Sequence, residues 1–230
     1  MSKQRAPIGI IAACAVVVAS AATAVVILLG PSRHRSTEVI LDAAIIPGQT
    51  PDLLQGMEIP PFNLIDQNGN PVDQTMFEGK LTIVDFFFTR CPGPCPMMTQ
   101  QMRRLQQALA GTSVQFASFS VDSQNEPPEV LAAYARANGA DTSNWTFITG
   151  DDAQIYRIAT EGLYFALERD PSIQIDIGGG QTTDNIIHPT HLILIGPGRE
   201  VWALAGFTNE EHIQLLIDRT RTLAKRIERR

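Results

Sequence analysis

Apolar and polar positions divide the chain into a charge-free run, a stretch without period, and an alternation of strand-like and helix-like segments. Ile8 to Leu29 contains no charged residue. It is long enough for the roughly 20 residues that span a bilayer, and longer than the apolar core of a cleaved leader, so it predicts an uncleaved membrane-spanning helix behind a short basic tail, residues 1–7. Residues 30–60 hold Pro31, Pro47, Gly48, Pro51 and Pro60 without a sustained period and predict a linker. Residues 61–230 then predict one α/β domain.

Within that domain, Ile59 to Ile65 alternates, and Asp66-Gln67-Asn68-Gly69-Asn70 predicts a tight turn with positive φ angles at Asn-Gly. Leu81 to Phe88 is an apolar run bounded by turn residues, a buried strand. Met98, Met102, Leu105 and Leu109 recur at helical spacing and predict a helix over Met97 to Leu109. Val114 to Val121 is the next strand and ends at Asp122. Pro128 to Asn138 reads as a helix stopped by Gly139. Trp145 to Thr149 reads as a strand, Ala153 to Thr160 as a helix, and Leu163 to Leu167 as extended. Arg169 to Asn185 is polar and contains Gly178-Gly179-Gly180, which predicts a mobile loop. Leu192 to Ile195 and Val201 to Ala205 flank a Gly-Pro-Gly turn as a hairpin. Thr208-Asn209-Glu210-Glu211 is a capping box before a last helix with the stripe Ile213, Leu216, Ile217 and Leu223. Alternating strands and helices with a terminal hairpin and a last helix imply a three-layer α/β domain, in whose sheet ligands gather at the carboxyl ends of strands. Asp122 and the turn after Phe88 both stand at such ends.

That turn carries the chemistry. Cys91 and Cys95 are separated by Pro92-Gly93-Pro94 and lie between a strand and a helix. A helix N-terminus favours a thiolate over a thiol, and the prolines stiffen the connection. A thiolate is both a redox nucleophile and a soft metal ligand, so the residues alone leave both chemistries open. An inert disulfide and half of a structural zinc site are the bland readings. The zinc site needs four ligands, and the third cysteine, Cys14, lies in the apolar run. Met97, Met98 and Met102 at helical spacing read as core rather than as thioether ligands. With 230 residues and a formal net charge of -6, the composition argues against nucleic acid as a partner.

The stretch Phe86-Phe87-Phe88-Thr89-Arg90-Cys91-Pro92-Gly93-Pro94-Cys95-Pro96 resembles the cysteine motif of the Sco (SenC) copper-chaperone family, in the thioredoxin-like superfamily. Ser118-Phe119-Ser120-Val121-Asp122 with Pro127-Pro128-Glu129, Trp145 to Gly150, and His188 ahead of Leu192 to Pro197 resemble further family segments. The resemblance implies a thioredoxin-like fold behind an N-terminal transmembrane helix. It also implies a copper ion, Cu(I) or Cu(II), held by Cys91, Cys95 and His188, with Asp122 as a supporting residue. It implies the copper-bearing subunit of cytochrome c oxidase as recipient, with other copper chaperones or thiol reductants as further partners. The expected place is a bacterial inner membrane, with the domain on the extracytoplasmic side. Basic residues balance across the apolar run, Lys3 and Arg5 against Arg33 and Arg35, so this orientation rests on the resemblance. The rival reading is an enzyme, a membrane-anchored thiol-disulfide oxidoreductase with Cys91 and Cys95 as its catalytic redox pair. Pro189-Thr190, placed as in ordinary thioredoxin-like reductases, keeps that reading alive. His191 stands three positions on, and in an extended segment it faces away from His188.

Overall fold

The computed structural model describes residues 51–229. The anchor expected at 8–29 lies outside them, and among the described residues no helix is long and apolar enough to cross a membrane.

The strands are β1 (Asn63–Asp66), β2 (Pro71–Asp73), β3 (Thr82–Phe87), β4 (Gln115–Ser120), β5 (Trp145–Thr149), β6 (Glu168–Gly178), β7 (Gln181–Ile187), β8 (His191–Ile195) and β9 (Val201–Gly206). The helices are α1 (Pro51–Leu54), α2 (Cys95–Ala108), α3 (Pro128–Ala137), α4 (Asp152–Arg157) and α5 (Glu210–Glu228). Seven strands form one mixed sheet in the order β2-β1-β5-β4-β3-β8-β9. The three central strands β3, β4 and β5 run parallel, and β8 lies antiparallel to β3. The crossovers β3-α2-β4 and β4-α3-β5 step the same way across the sheet, and right-handed connections then place both helices on one face. A bond of 2.8 Å between Thr99 Oγ1 on α2 and Tyr134 Oη on α3 ties them together. Helix α5 joins α2 through Arg104 with Glu210, and through Arg221 Nη2, which donates to Ala108 O at 2.6 Å.

Alternation along the strands divides the core. Phe87 and Phe147 meet Tyr134 under the helices, whereas Phe86 stacks on Phe119, which packs on Phe62 and, through it, on Phe77. The fold also takes up the end of the stretch read as a linker: Leu54, Met57 and Ile59 are buried, and Ile59 N donates to Arg199 O at 3.0 Å.

Several elements depart from the sequence expectation. The expected mobile loop from Arg169 to Asn185 is instead an antiparallel ribbon of β6 and β7, a sheet of its own. Gly178 pairs with Gln181, so Gly179-Gly180 is a two-residue hairpin connection, with φ of +63° and +76° that glycine adopts without strain. The stretch from Leu163 to Leu167 is not a strand: α4 continues as a π-helical turn, Ile158–Gly162, and Tyr164 has φ 55°. Helix α2 begins at Cys95, earlier than Met97, because Pro96 in the first turn needs no helical N–H partner. The last helix is capped by Asn209, which accepts from His212 N, rather than by Thr208. In the first hairpin only Gly69 has positive φ; the carboxylate of Asp66 organises the turn by accepting from the backbone N–H groups of Asn68 and Asn70, both at 2.8 Å.

Candidate metal centre

The buried strand β3 delivers the chain to a turn at Thr89–Pro94. Cys91 N donates to Phe88 O at 3.3 Å, and Cys95 opens α2. The Cys95 backbone N–H, without a partner inside the helix at its N-terminus, donates toward the Cys91 sulfur. His188 lies in the three-residue connection between β7 and β8. The sulfur atoms of Cys91 and Cys95 and a ring nitrogen of His188 all lie within 4.8 Å of one another. Cys95 Sγ is 3.3 Å from His188 Nε2. The other ring nitrogen, Nδ1, is 3.0 Å from Pro189 O. A carbonyl only accepts, so Nδ1 carries the proton and Nε2 presents its lone pair to the sulfurs. Phe88 stands edge-on to the imidazole, with centroids 5.8 Å apart.

The two thiols are inequivalent. Cys91 is 9% exposed and Cys95 1%. Hydrogen bonding from the Cys95 thiol, opposed by burial, holds Cys91 well below the ordinary thiol range. The same bond, together with burial, pushes Cys95 up. In the reduced pair Cys91 is therefore the thiolate and Cys95 keeps the proton. Cys91 and His188 open onto a cavity of about 270 Å³, lined also by Phe88, Pro92, Ile175 and Ile187.

Asp122 does not join the donor group. Its carboxylate has no exposed surface and is divided between two guanidinium groups: Oδ2 accepts from Arg90 Nη2 and Oδ1 from Arg169 Nη2, each at 2.7 Å. His191 also stays out of the group. Its ring stacks on Phe165 with centroids 5.4 Å apart, and burial lowers its pKa. Of the methionines, Met98 and Met102 are core residues as expected, whereas Met97 is exposed. Among the described residues no fourth histidine, cysteine, aspartate or glutamate completes a tetrahedral set around Cys91, Cys95 and His188.

Sequence reasoning passed over three polar residues near the site, two of which support the turn. Glu126 is buried and accepts from Thr89 N and Ser120 Oγ. Arg169 shares Asp122 with Arg90. Asp85 is 1% exposed in the middle of β3 and accepts from Ser118 Oγ, which in turn accepts from Trp145 Nε1 at 2.9 Å. Only Asp85 left a signal, a lone charge inside an apolar run.

The sequence model of the SCO1/SenC family matches residues 52–225. The SCO1 protein homolog of Bacillus subtilis is 31% identical over 147 residues, 63% of this chain and 71% of that protein. The structure of BsSco, described as a member of the Sco family of cytochrome c oxidase assembly proteins with a disulfide switch, superposes with a TM-score of 0.61 at 28% identity, covering 74% of this chain and 95% of that one. Bradyrhizobium japonicum ScoI with copper bound shares the fold, with a TM-score of 0.56 at 20% identity over 74% of this chain and 99% of that one. With a match that runs from α1 almost to the end of α5 and takes in the cysteine turn and His188, this chain belongs to the SCO1/SenC family, and its fold is the thioredoxin-like fold of the Sco proteins.

Proposed function

We propose that this chain is a copper-binding protein that holds the metal, as cargo, between Cys91, Cys95 and His188. The observation that carries the reading is the convergence of two sulfurs and one imidazole nitrogen within 4.8 Å of one another. Two soft sulfurs and one imidazole make a set of three, which suits Cu(I) and falls one short of the four ligands of a structural zinc site. The resting ionisation also fits. Cys91 is already a thiolate, so loading displaces one proton, from Cys95. A disulfide between the same sulfurs excludes the metal, so redox state gates loading.

Membership of the family extends the reading. The recipient is the dinuclear copper site of cytochrome c oxidase, to which the chain delivers copper or whose cysteines it prepares. BsSco, named for oxidase assembly and a disulfide switch, supports this. In the same reading residues 8–29 anchor the chain in the membrane and residues 61–230 stand on the extracytoplasmic side. The test is Cu(I) binding by the reduced full-length chain in detergent against a competing chelator. The wild type retains one equivalent, and His188→Ala weakens retention by a factor of roughly 10–100 or more. Equal retention by both, or none by either, overturns the assignment.

The inequivalence of the thiols favours a second reading, thiol-disulfide exchange. The Cys91 thiolate attacks a partner disulfide, forming a mixed disulfide and releasing a partner thiolate. Cys95, once deprotonated, then attacks Cys91 Sγ, which leaves the partner as a dithiol and this chain as the disulfide. His188 is dispensable in that cycle, and the copper measurement separates the two.

A further inference from the structure

The ribbon of β6 and β7 ends one residue before His188, yet it shares no backbone ladder with the seven-stranded sheet. A two-stranded ribbon is marginal by itself, and most of this one is exposed. Its position over the cysteine turn therefore depends on side chains. Leu167, just ahead of the ribbon, and Thr183 and Ile186 on β7 are buried. One charged residue of the ribbon also reaches inward. Arg169, directly opposite Ile186 in the β6–β7 register, donates through Nη2 to Asp122 Oδ1 at 2.7 Å and to Val121 O at 3.2 Å. Through Nη1 it donates to Asp184 Oδ2 on β7 at 3.1 Å. The second oxygen of Asp122 holds Arg90, which immediately precedes Cys91. Charges therefore alternate along a continuous path: Arg90, Asp122, Arg169, Asp184. The path starts beside the first thiol and finishes four residues before the imidazole. Its central carboxylate is fully buried, so it is costly to leave unpaired, and each guanidinium takes a separate oxygen of it.

We propose that Arg169 is a positioning residue for His188, latching the ribbon to the cysteine turn through Asp122 so that the imidazole stays against the two sulfurs. The inference rests on the copper-site reading above. Arg169 touches neither sulfur nor imidazole, and acts by fixing the strand that leads into His188. Lysine keeps the charge at Asp122 but lacks the planar fork that reaches Asp122 and Asp184 together, so it substitutes only in part.

The experiment uses the full-length reduced chain in detergent, with Arg169→Gln, Arg169→Lys, Asp184→Asn and His188→Ala. One readout, in metal-free protein, is the imidazole nitrogen resonance of His188, identified by its loss in His188→Ala. The other is Cu(I) affinity. Arg169→Gln is expected to shift and broaden the His188 signal and to weaken Cu(I) binding about ten-fold, within the range known for residues that orient metal ligands. Arg169→Lys should recover part of both. Should Arg169→Gln fail to fold, Asp184→Asn, which removes only the outer ion pair at 3.1 Å, must still move the His188 signal in the same direction. A His188 signal and an affinity both like wild type in a folded Arg169→Gln chain overturn the latch. So does a shifted signal with unchanged affinity in a chain that binds copper. If the wild type itself holds no copper, the copper reading fails separately, and the His188 signal alone decides the latch: movement supports it and constancy overturns it.

Discussion

Replacing Asp85 by asparagine should change how stability depends on pH, by an amount set by where the carboxyl sits. Asp85 lies in the centre of β3, beneath the helical face of the sheet, with 1% of its surface exposed. Burial pushes its pKa up to about 7 from the model-peptide value of 3.8; the Ser118 hydrogen bond opposes the rise. A carboxyl whose pKa rises on folding binds more protons folded than unfolded between those two values. Its contribution to stability is then fully present at low pH and is lost as pH rises through the folded pKa. At 1.36 kcal/mol per pH unit, a rise of about three units corresponds to about 4 kcal/mol, of which roughly 2–3 kcal/mol is lost between pH 5 and 7. Asparagine keeps the shape and does not titrate. Glu126 has a pKa raised by burial as well, but it is common to both proteins and cancels in their difference. Urea unfolding of the reduced protein at pH 5, 6, 7 and 8 should therefore show Asp85→Asn gaining on the wild type by about 2–3 kcal/mol across the series, whatever their offset at pH 5. A difference that stays flat to within about 0.5 kcal/mol would mean that Asp85 is ionised in the folded chain or hydrated, and the reasoning would fail.

Other perturbations test other parts of the structure. Cys95→Ser removes the resolving thiol and leaves the Cys91 thiolate, so in the exchange reading it should accumulate mixed disulfides with a cysteine-containing peptide disulfide, seen as a mass increase under non-reducing conditions; a variant that captures nothing counts against turnover. Gly162→Ala would set a Cβ 2.6 Å from both Glu58 O and Pro60 Cδ, so it should cost about 1–3 kcal/mol and lower the melting temperature by several degrees, and an unchanged melting point would show that residues 58–60 yield freely.

Legibility in the sequence followed how local each signal was. Trp145 to Thr149 was readable end to end, since a short apolar run between turn residues has few alternatives. The ribbon was not, because the three glycines and many polar residues outweighed an alternation that was present: Ile173, Ile175 and Ile177, then Gly179-Gly180 at hairpin spacing. A strand exposed on both faces lacks the buried side that makes alternation loud. For the site, the cysteines and their helix were local and legible. His188 is 93 residues from Cys95 and is legible only through family resemblance, which also names Asp122 but none of its partners.

That network explains why the cysteine turn can be both stiff and reactive. Prolines restrict the backbone of the turn but supply no donors, so its remaining polar groups must be satisfied from outside. Two buried acids beyond the end of β4 do this: Glu126 receives Thr89 N, and Asp122 receives the Arg90 guanidinium. Neither acid touches a sulfur in the donor group, and neither is more than five residues from Val121 in sequence. The end of one parallel strand thus supplies the anions that hold the turn issuing from its neighbour, Arg169 ties the histidine ribbon to one of them, and the thiols are left free of carboxylate competition for a cation. Asp122, expected as a supporting residue, neutralises two arginines, so that the cysteine turn and the strand leading to His188 share one buried charge.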